Sequence, residues 1–185
     1  LPYGSVAEAF QGPIRQLLGK PEAELCRWRD DLRQALDPNG ALMVALIPEL
    51  KSIIGEQPPV PDVPSPAAKD RFHLALRRLI GVFARPEHPL ALFLDDLQWL
   101  DGATLDLLED VFAQPDLQHL LLVGAYRDNE VDAAHPLMCK LAKIRERGAA
   151  VQEIVLAPLN QEDLAQLIAD ALRVEVDPHR VRTRC

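Results

Sequence analysis

The 185 residues predict an α/β fold with a parallel sheet, on two observations. Leu90-Ala91-Leu92-Phe93-Leu94 and Leu120-Leu121-Leu122-Val123 are continuous apolar runs, the pattern of strands buried on both faces of a parallel sheet. Apolar residues recur at helical spacing between and after them, at Leu105, Leu108, Val111 and Phe112 and again at Leu137, Leu141 and Ile144. Strand and helix thus alternate at about 30 residues per unit, which is βαβ grammar with right-handed crossovers. A third, less uniform strand is expected over Val151 to Leu156, which places βαβ units across 90–158.

Residues 1–89 read mainly as helix. Ser5 can cap a first segment with Val6, Phe10, Ile14, Leu17 and Leu18 at helical spacing, which Pro13 is expected to kink or restart. Pro21 opens a second helix with Leu25, Trp28, Leu32 and Leu36 on one stripe, and Asp37-Pro38-Asn39-Gly40 stops it. A third apolar stretch around Leu42, Leu46 and Ile47 breaks at Pro48, with a short turn continuing to Ile54. The segment 55–66 holds five prolines, so it is extended and semi-rigid, and it reads as a surface connection inside one domain. Ser65-Pro66 supplies a cap and first turn for a helix striped by Phe72, Leu76, Leu79, Ile80 and Phe83. After Leu156, Ala157-Pro158-Leu159 leads into an Asn160-capped helix with Leu164, Leu167, Ile168 and Leu172, and a further start stands at Asp177-Pro178.

Bulk properties narrow the function. Apolar residues at 48% and charged residues at 26% are the balance of a chain that folds. A net charge of -8, with basic residues clustered only at Arg180, Arg182 and Arg184, argues against a nucleic-acid partner. That cluster reads as a solvated tail. Cys26, Cys139 and Cys185 lie far apart with no CxxC pair, which fits a reducing cytoplasm. No apolar stretch reaches about 18 residues and no signal peptide is present, so no membrane partner is expected. His73, His88, His119, His135 and His179 share no face, and none is read as catalytic or metal-binding. A start at Leu1 in place of Met suggests a processed product or an excised fragment.

The chemistry concentrates in Leu92-Phe93-Leu94-Asp95-Asp96-Leu97-Gln98-Trp99-Leu100-Asp101. An apolar strand delivers two carboxylates at its C-terminal end, where open α/β sheets bind ligands. This is Walker-B grammar: one carboxylate, Asp95, can hold magnesium through its water shell, and a second, Asp96, can orient or deprotonate an attacking water. The alternative is that the pair only terminates the strand and caps the next turn. Tyr126-Arg127-Asp128 puts a guanidinium at the end of the neighbouring strand, where Arg127 could sense a terminal phosphate or form a structural ion pair with Asp128 or Asp96. Asp101 reads as the N-cap of a helix over 103–113, and Trp99 as packing under the turn in preference to stacking on adenine.

The Asp-Asp-Leu-Gln-Trp-Leu-Asp core closely resembles the Walker-B segment of bacterial STAND-type ATPases of the AAA-like group. Leu121 to Arg127 resembles their sensor-1 strand, Ile154 to Leu159 the join into their helical lid, and Leu1-Pro2-Tyr3 the stretch after their second core strand. The similarity runs to about Val181. It implies an incomplete P-loop NTPase, with 1–158 as a partial core and 159–185 as the start of a truncated helical lid. It also implies an ATP-binding switch in a multidomain signalling protein, with catalytic roles for Asp96 and Arg127 and a magnesium role for Asp95. Two departures stand out. No Gly-x-x-x-x-Gly-Lys-Ser/Thr occurs in the chain, and Arg182-Thr183-Arg184-Cys185 leaves the family pattern where a Gly-Asn-Pro segment is expected.

The expected consequence is a fragment that neither binds nor hydrolyses ATP alone, its ATP and Mg2+ belonging to the complete parent. Its partners would be the rest of that parent, a kinase or other output domain, and another copy of itself through unpaired sheet edges. A non-catalytic protein-interaction scaffold and the ATPase region of a transcriptional regulator are the two alternatives.

Overall fold

The structure is a computed structural model that describes residues 2–61, 64–112 and 117–172. The chain divides into two compact units, Leu1–Ala150 and Val151–Cys185.

The first unit opens with helices α1 (Gly4–Leu18), α2 (Glu22–Leu36), α3 (Gly40–Leu46), α4 (Lys51–Ile54) and α5 (Ser65–Phe83). Strand β1 (Leu90–Leu94), helix α6 (Gly102–Phe112), strand β2 (Leu120–Gly124) and helix α7 (Pro136–Glu146) follow. The strands pair in parallel, from Leu90 with Leu120 to Leu94 with Gly124, and α6 lies between them in sequence, which makes one βαβ unit. The fold is thus mixed helix and parallel sheet, as an α/β reading requires.

The core explains where the helices start and stop. Phe10, Ile14, Leu32, Leu36, Met43, Leu76 and Leu79 are fully buried, and Leu90 and Leu92 on β1 join them. The five leading helices therefore share one apolar core with the buried face of β1, against which α1 packs directly. Pro13 does not break α1, which runs through it. A proline inside a helix costs about 3 kcal/mol, but burying Phe10, Ile14 and Leu17 returns roughly 1.5–3 kcal/mol each, so packing wins. Ser5 is not the cap either: α1 begins at Gly4, with Tyr3 at the capping position in a left-handed conformation. The Tyr3 N–H is held by Thr104 Oγ1 at 3.2 Å, so a contact from α6 fixes the entry to α1. Likewise Pro64, and not Ser65, stands before α5, and the residues Gly55 to Pro61 carry no regular structure.

Two expectations about strands are corrected. Leu90, Leu92 and Leu94 are buried, but Phe93 is 61% and Leu121 59% exposed, so the sheet is covered on one face and not on both. Apolar composition suits a strand to a covered face but does not supply the cover. Val151 to Leu156 forms no strand, and Ile154, Val155 and Leu156 are almost fully exposed. A strand needs a neighbour for its backbone donors and acceptors, and the described residues pair none with this segment. The second unit contains α8 (Gln161–Leu172), whose first turn is capped by Asn160 Oδ1 accepting from the Asp163 N–H at 2.8 Å. The start expected at Asp177-Pro178, the arginine cluster and Cys185 lie outside the described residues. Among the described residues no helix is long and apolar enough to cross a membrane.

Ionic contacts tie α5, α6 and α7 together. Asp106 lies 2.6 Å from both Lys69 and Lys140, and Glu109 contacts Lys140 at 2.6 Å and Arg147 at 2.7 Å. Buried His73 on α5 pairs through Nδ1 with Asp110 and through Nε2 with the Tyr3 hydroxyl, a structural bridge between α1, α5 and α6.

One prediction follows from these ionic contacts and a second from the packing at the end of β2. Hydrogen bonds from Lys140 and Lys69 hold the Asp106 carboxyl at about 2, below its ordinary 3.8. A depressed folded-state value contributes stability that is present above about pH 4 and lost as pH falls through about 2. With the carboxylate about a third exposed, solvent screening limits the effect, so Asp106→Asn is expected to cost ~1 kcal/mol at neutral pH. Urea denaturation across pH should show that difference closing near pH 2.

The second concerns Gly124. A Cβ there would sit 2.3 Å from Leu97 Cδ1, so Gly124→Ala is expected to destabilise by ~1–3 kcal/mol through overpacking. Shortening Leu97 to Val should recover part of that loss, and a double-mutant cycle with strictly additive costs would count against the contact.

Candidate functional site

The candidate site is built where the two parallel strands end. Beyond the last paired residues the backbone ladder continues: the Ala125 N–H donates to Leu94 O at 2.9 Å, and the Leu97 N–H donates to Ala125 O at 2.9 Å. The turn after β1 is therefore bonded to the exit of β2. Between those anchors Asp95 and Asp96 change the chain direction. Asp96 adopts φ 50, ψ 46, a left-handed conformation that aspartate tolerates better than most residues. Its N–H donates to Asp95 Oδ1 at 2.8 Å, which leaves Asp95 exposed and Asp96 half-buried.

A single 3-10 turn, Leu97–Trp99, follows. Leu97 fills the space beneath it, in a small cluster with Leu94, Leu105 and Leu137. Because that space is taken, Trp99 does not pack under the turn as the sequence suggested; it is 72% exposed. Gln98 is the reverse, only 7% exposed. Its Nε2 donates to Asp96 Oδ1 at 2.9 Å and its Oε1 accepts the Arg127 N–H at 3.4 Å.

Arg127 stands on the far side of this bridge. Its Nε is 3.6 Å from Asp96 Oδ1, and its Nη1 donates to Glu130 Oε1 at 3.0 Å. The hydrogen bond to Glu130, then the Glu130 and Asp96 charges, push the guanidinium above its ordinary value, so it stays cationic at any working pH. The structure thus brings Asp95, Asp96 and Arg127 together. Arg127 pairs with Asp96 and with Glu130, which the sequence reading did not weigh, and not with Asp128. Glu130 could have been noticed as an acid three residues past the arginine, and Gln98 as a polar residue in an otherwise apolar turn.

Asp101 caps α6, accepting the Thr104 N–H at 2.9 Å and its hydroxyl at 2.7 Å. Desolvation opposes the Asp101 carboxylate, but the bonds from Thr104 with the Tyr3 and Ala103 amides outweigh it and hold the group below its ordinary range. Among the described residues no group of three or more histidine, cysteine or acidic side chains is arranged to hold a metal ion. A cation at Asp95 and Asp96 would need ligands from elsewhere, as Mg2+ bound by one or two carboxylates takes them from phosphate and water.

Residues 1–123 match the AAA ATPase domain family, a stretch that takes in β1, the acidic turn and most of β2 and stops short of Arg127. Among curated proteins the chain is similar to hybrid signal transduction histidine kinase G of Dictyostelium discoideum, at 33% identity over 108 residues, which is 58% of this chain and 3% of that protein. The chain therefore spans a small fraction of the length of that relative. No solved structure matches. With well over half of its residues inside the family match, the chain belongs to the AAA ATPase domain family.

Proposed function

We propose that this chain is the acidic half of an ATP-dependent switch of the STAND type within a longer signalling protein. One observation carries the reading: an exposed Asp95 beside an Asp96 whose carboxylate is tied to Gln98 and lies near Arg127, all at the C-terminal ends of two parallel strands. Asp95 offers hard oxygen donors to solvent, the ligand type that magnesium takes. Asp96, half-buried and held in direction, suits the orienting of a water molecule. Arg127 is cationic, largely exposed and adjacent, so it can contact a terminal phosphate as well as Asp96. Magnesium bound at Asp95 would neutralise phosphate charge.

The 185 residues contain no phosphate loop, and most nucleotide affinity in such domains comes from that loop. The loop would come from chain preceding Leu1, so these residues alone would neither bind nor hydrolyse Mg-ATP. The similarity to a hybrid histidine kinase supports a signalling parent with a kinase or other output domain. The exposed sheet face around Phe93 and Leu121 suits contact with the rest of that parent.

Calorimetry with Mg-ATP tests the proposal. This chain should give no binding heat, whereas a chain extended upstream to a phosphate loop should bind, and Asp95→Ala should weaken that binding about tenfold or more. If the extended chain binds no nucleotide, the switch reading fails and a protein-interaction scaffold takes its place.

A further inference from the structure

Gln98 uses both ends of its amide to bridge Asp96 and Arg127, the latter 29 residues further along the chain than Gln98. The donor end reaches Asp96 Oδ1 at 2.9 Å, the acceptor end takes the Arg127 N–H, and the side chain is buried. We propose that Gln98 is a positioning residue for nucleotide hydrolysis, aiming the Asp96 carboxylate and joining it to the exit of β2 so that Asp96 and Arg127 keep one mutual geometry. The inference rests on the function proposed above and deepens it.

Three observations lead there. The Asp96 carboxylate is half-buried, and at 3.6 Å the Arg127 Nε is outside hydrogen-bond range, on a side chain 62% exposed. Arg127 therefore attracts the carboxylate without fixing its direction, and the short bond from Gln98 does fix it. An uncharged donor also directs the carboxylate without setting a second full positive charge beside it. Finally, burial makes the amide's two bonds obligatory, because a desolvated amide that loses a partner pays the full cost of that loss. Asparagine would be one methylene too short to span both partners. Glutamate would keep the acceptor toward Arg127 and lose the donor toward Asp96.

The test uses the full-length parent with its own phosphate loop. Gln98→Met is expected to lower kcat about ten- to a hundredfold while the Mg-ATP dissociation constant stays within about twofold. In an Asp96→Asn background the same change should cost nothing further, since the carboxylate it aims is gone. Gln98→Glu, which keeps the volume and the bond from Arg127, should lose kcat to a similar degree. That variant decides the matter if Gln98→Met does not fold. Wild-type kcat in either folded Gln98 variant, beside an inactive Asp96→Asn, would overturn the positioning role and leave the switch reading intact. Loss confined to nucleotide affinity would overturn it as well. If Asp96→Asn itself hydrolyses ATP at the wild-type rate, the role of Asp96 falls first and that of Gln98 with it.

Discussion

The site depends on two backbone hydrogen bonds at the very end of the parallel ladder. Ala125 N–H to Leu94 O and Leu97 N–H to Ala125 O carry the parallel ladder past the last paired residues and into the turn. Without them the acidic pair would ride on a free loop, and ordering it would cost roughly 1–2 kcal/mol per residue in backbone entropy. With them, the left-handed Asp96 is held from both sides. Local conformations of that kind persist where the surroundings over-determine them, and here the surroundings are one backbone ladder, one leucine wedged against Gly124 and one buried amide.

The rest of the first unit serves to hold that ladder still. The helices from α1 to α5 share one apolar core with the buried face of β1, and α6 and α7 close over the turn with Leu105 and Leu137. The ion pairs of Asp106 and Glu109 stand at the seams between these helices. Apolar burial carries most of the stability, while the polar contacts set the alignment of α5, α6 and α7 about the strands. The opposite face of the sheet carries Phe93 and Leu121 into solvent, so the structure is asymmetric about its own strands.

Much of this was legible in residue order, for identifiable reasons. Helical stripes such as Leu25, Leu32 and Leu36 announce themselves because their period matches a buried face. The acidic pair was visible because charge directly after an apolar run marks the end of a strand. Asp101 was visible as a cap because aspartate before a helical stripe has few better uses. What could not be read depended on contacts distant in sequence. The start of α1 is set by Thr104, one hundred and one residues from Tyr3, and Pro13 survives because three apolar neighbours outweigh it. Gln98 gains its importance from Arg127, which nothing local announces. Val151 to Leu156 failed as a strand because an apolar run states a preference and cannot provide its own pairing partner.

The exposure of Trp99 has an optical consequence. The chain carries two tryptophans, and they occupy different environments. Trp28 lies tilted against Phe83 and His88 at centroid distances of 5.3 and 4.7 Å, whereas Trp99 stands in solvent on the turn that follows the acidic pair. Its emission is therefore expected to be the more red-shifted and the more open to collisional quenchers, with half-buried Trp28 less so. The protein thus carries a native fluorophore three residues from Asp96, able to register a change at the turn against an internal reference that follows the fold.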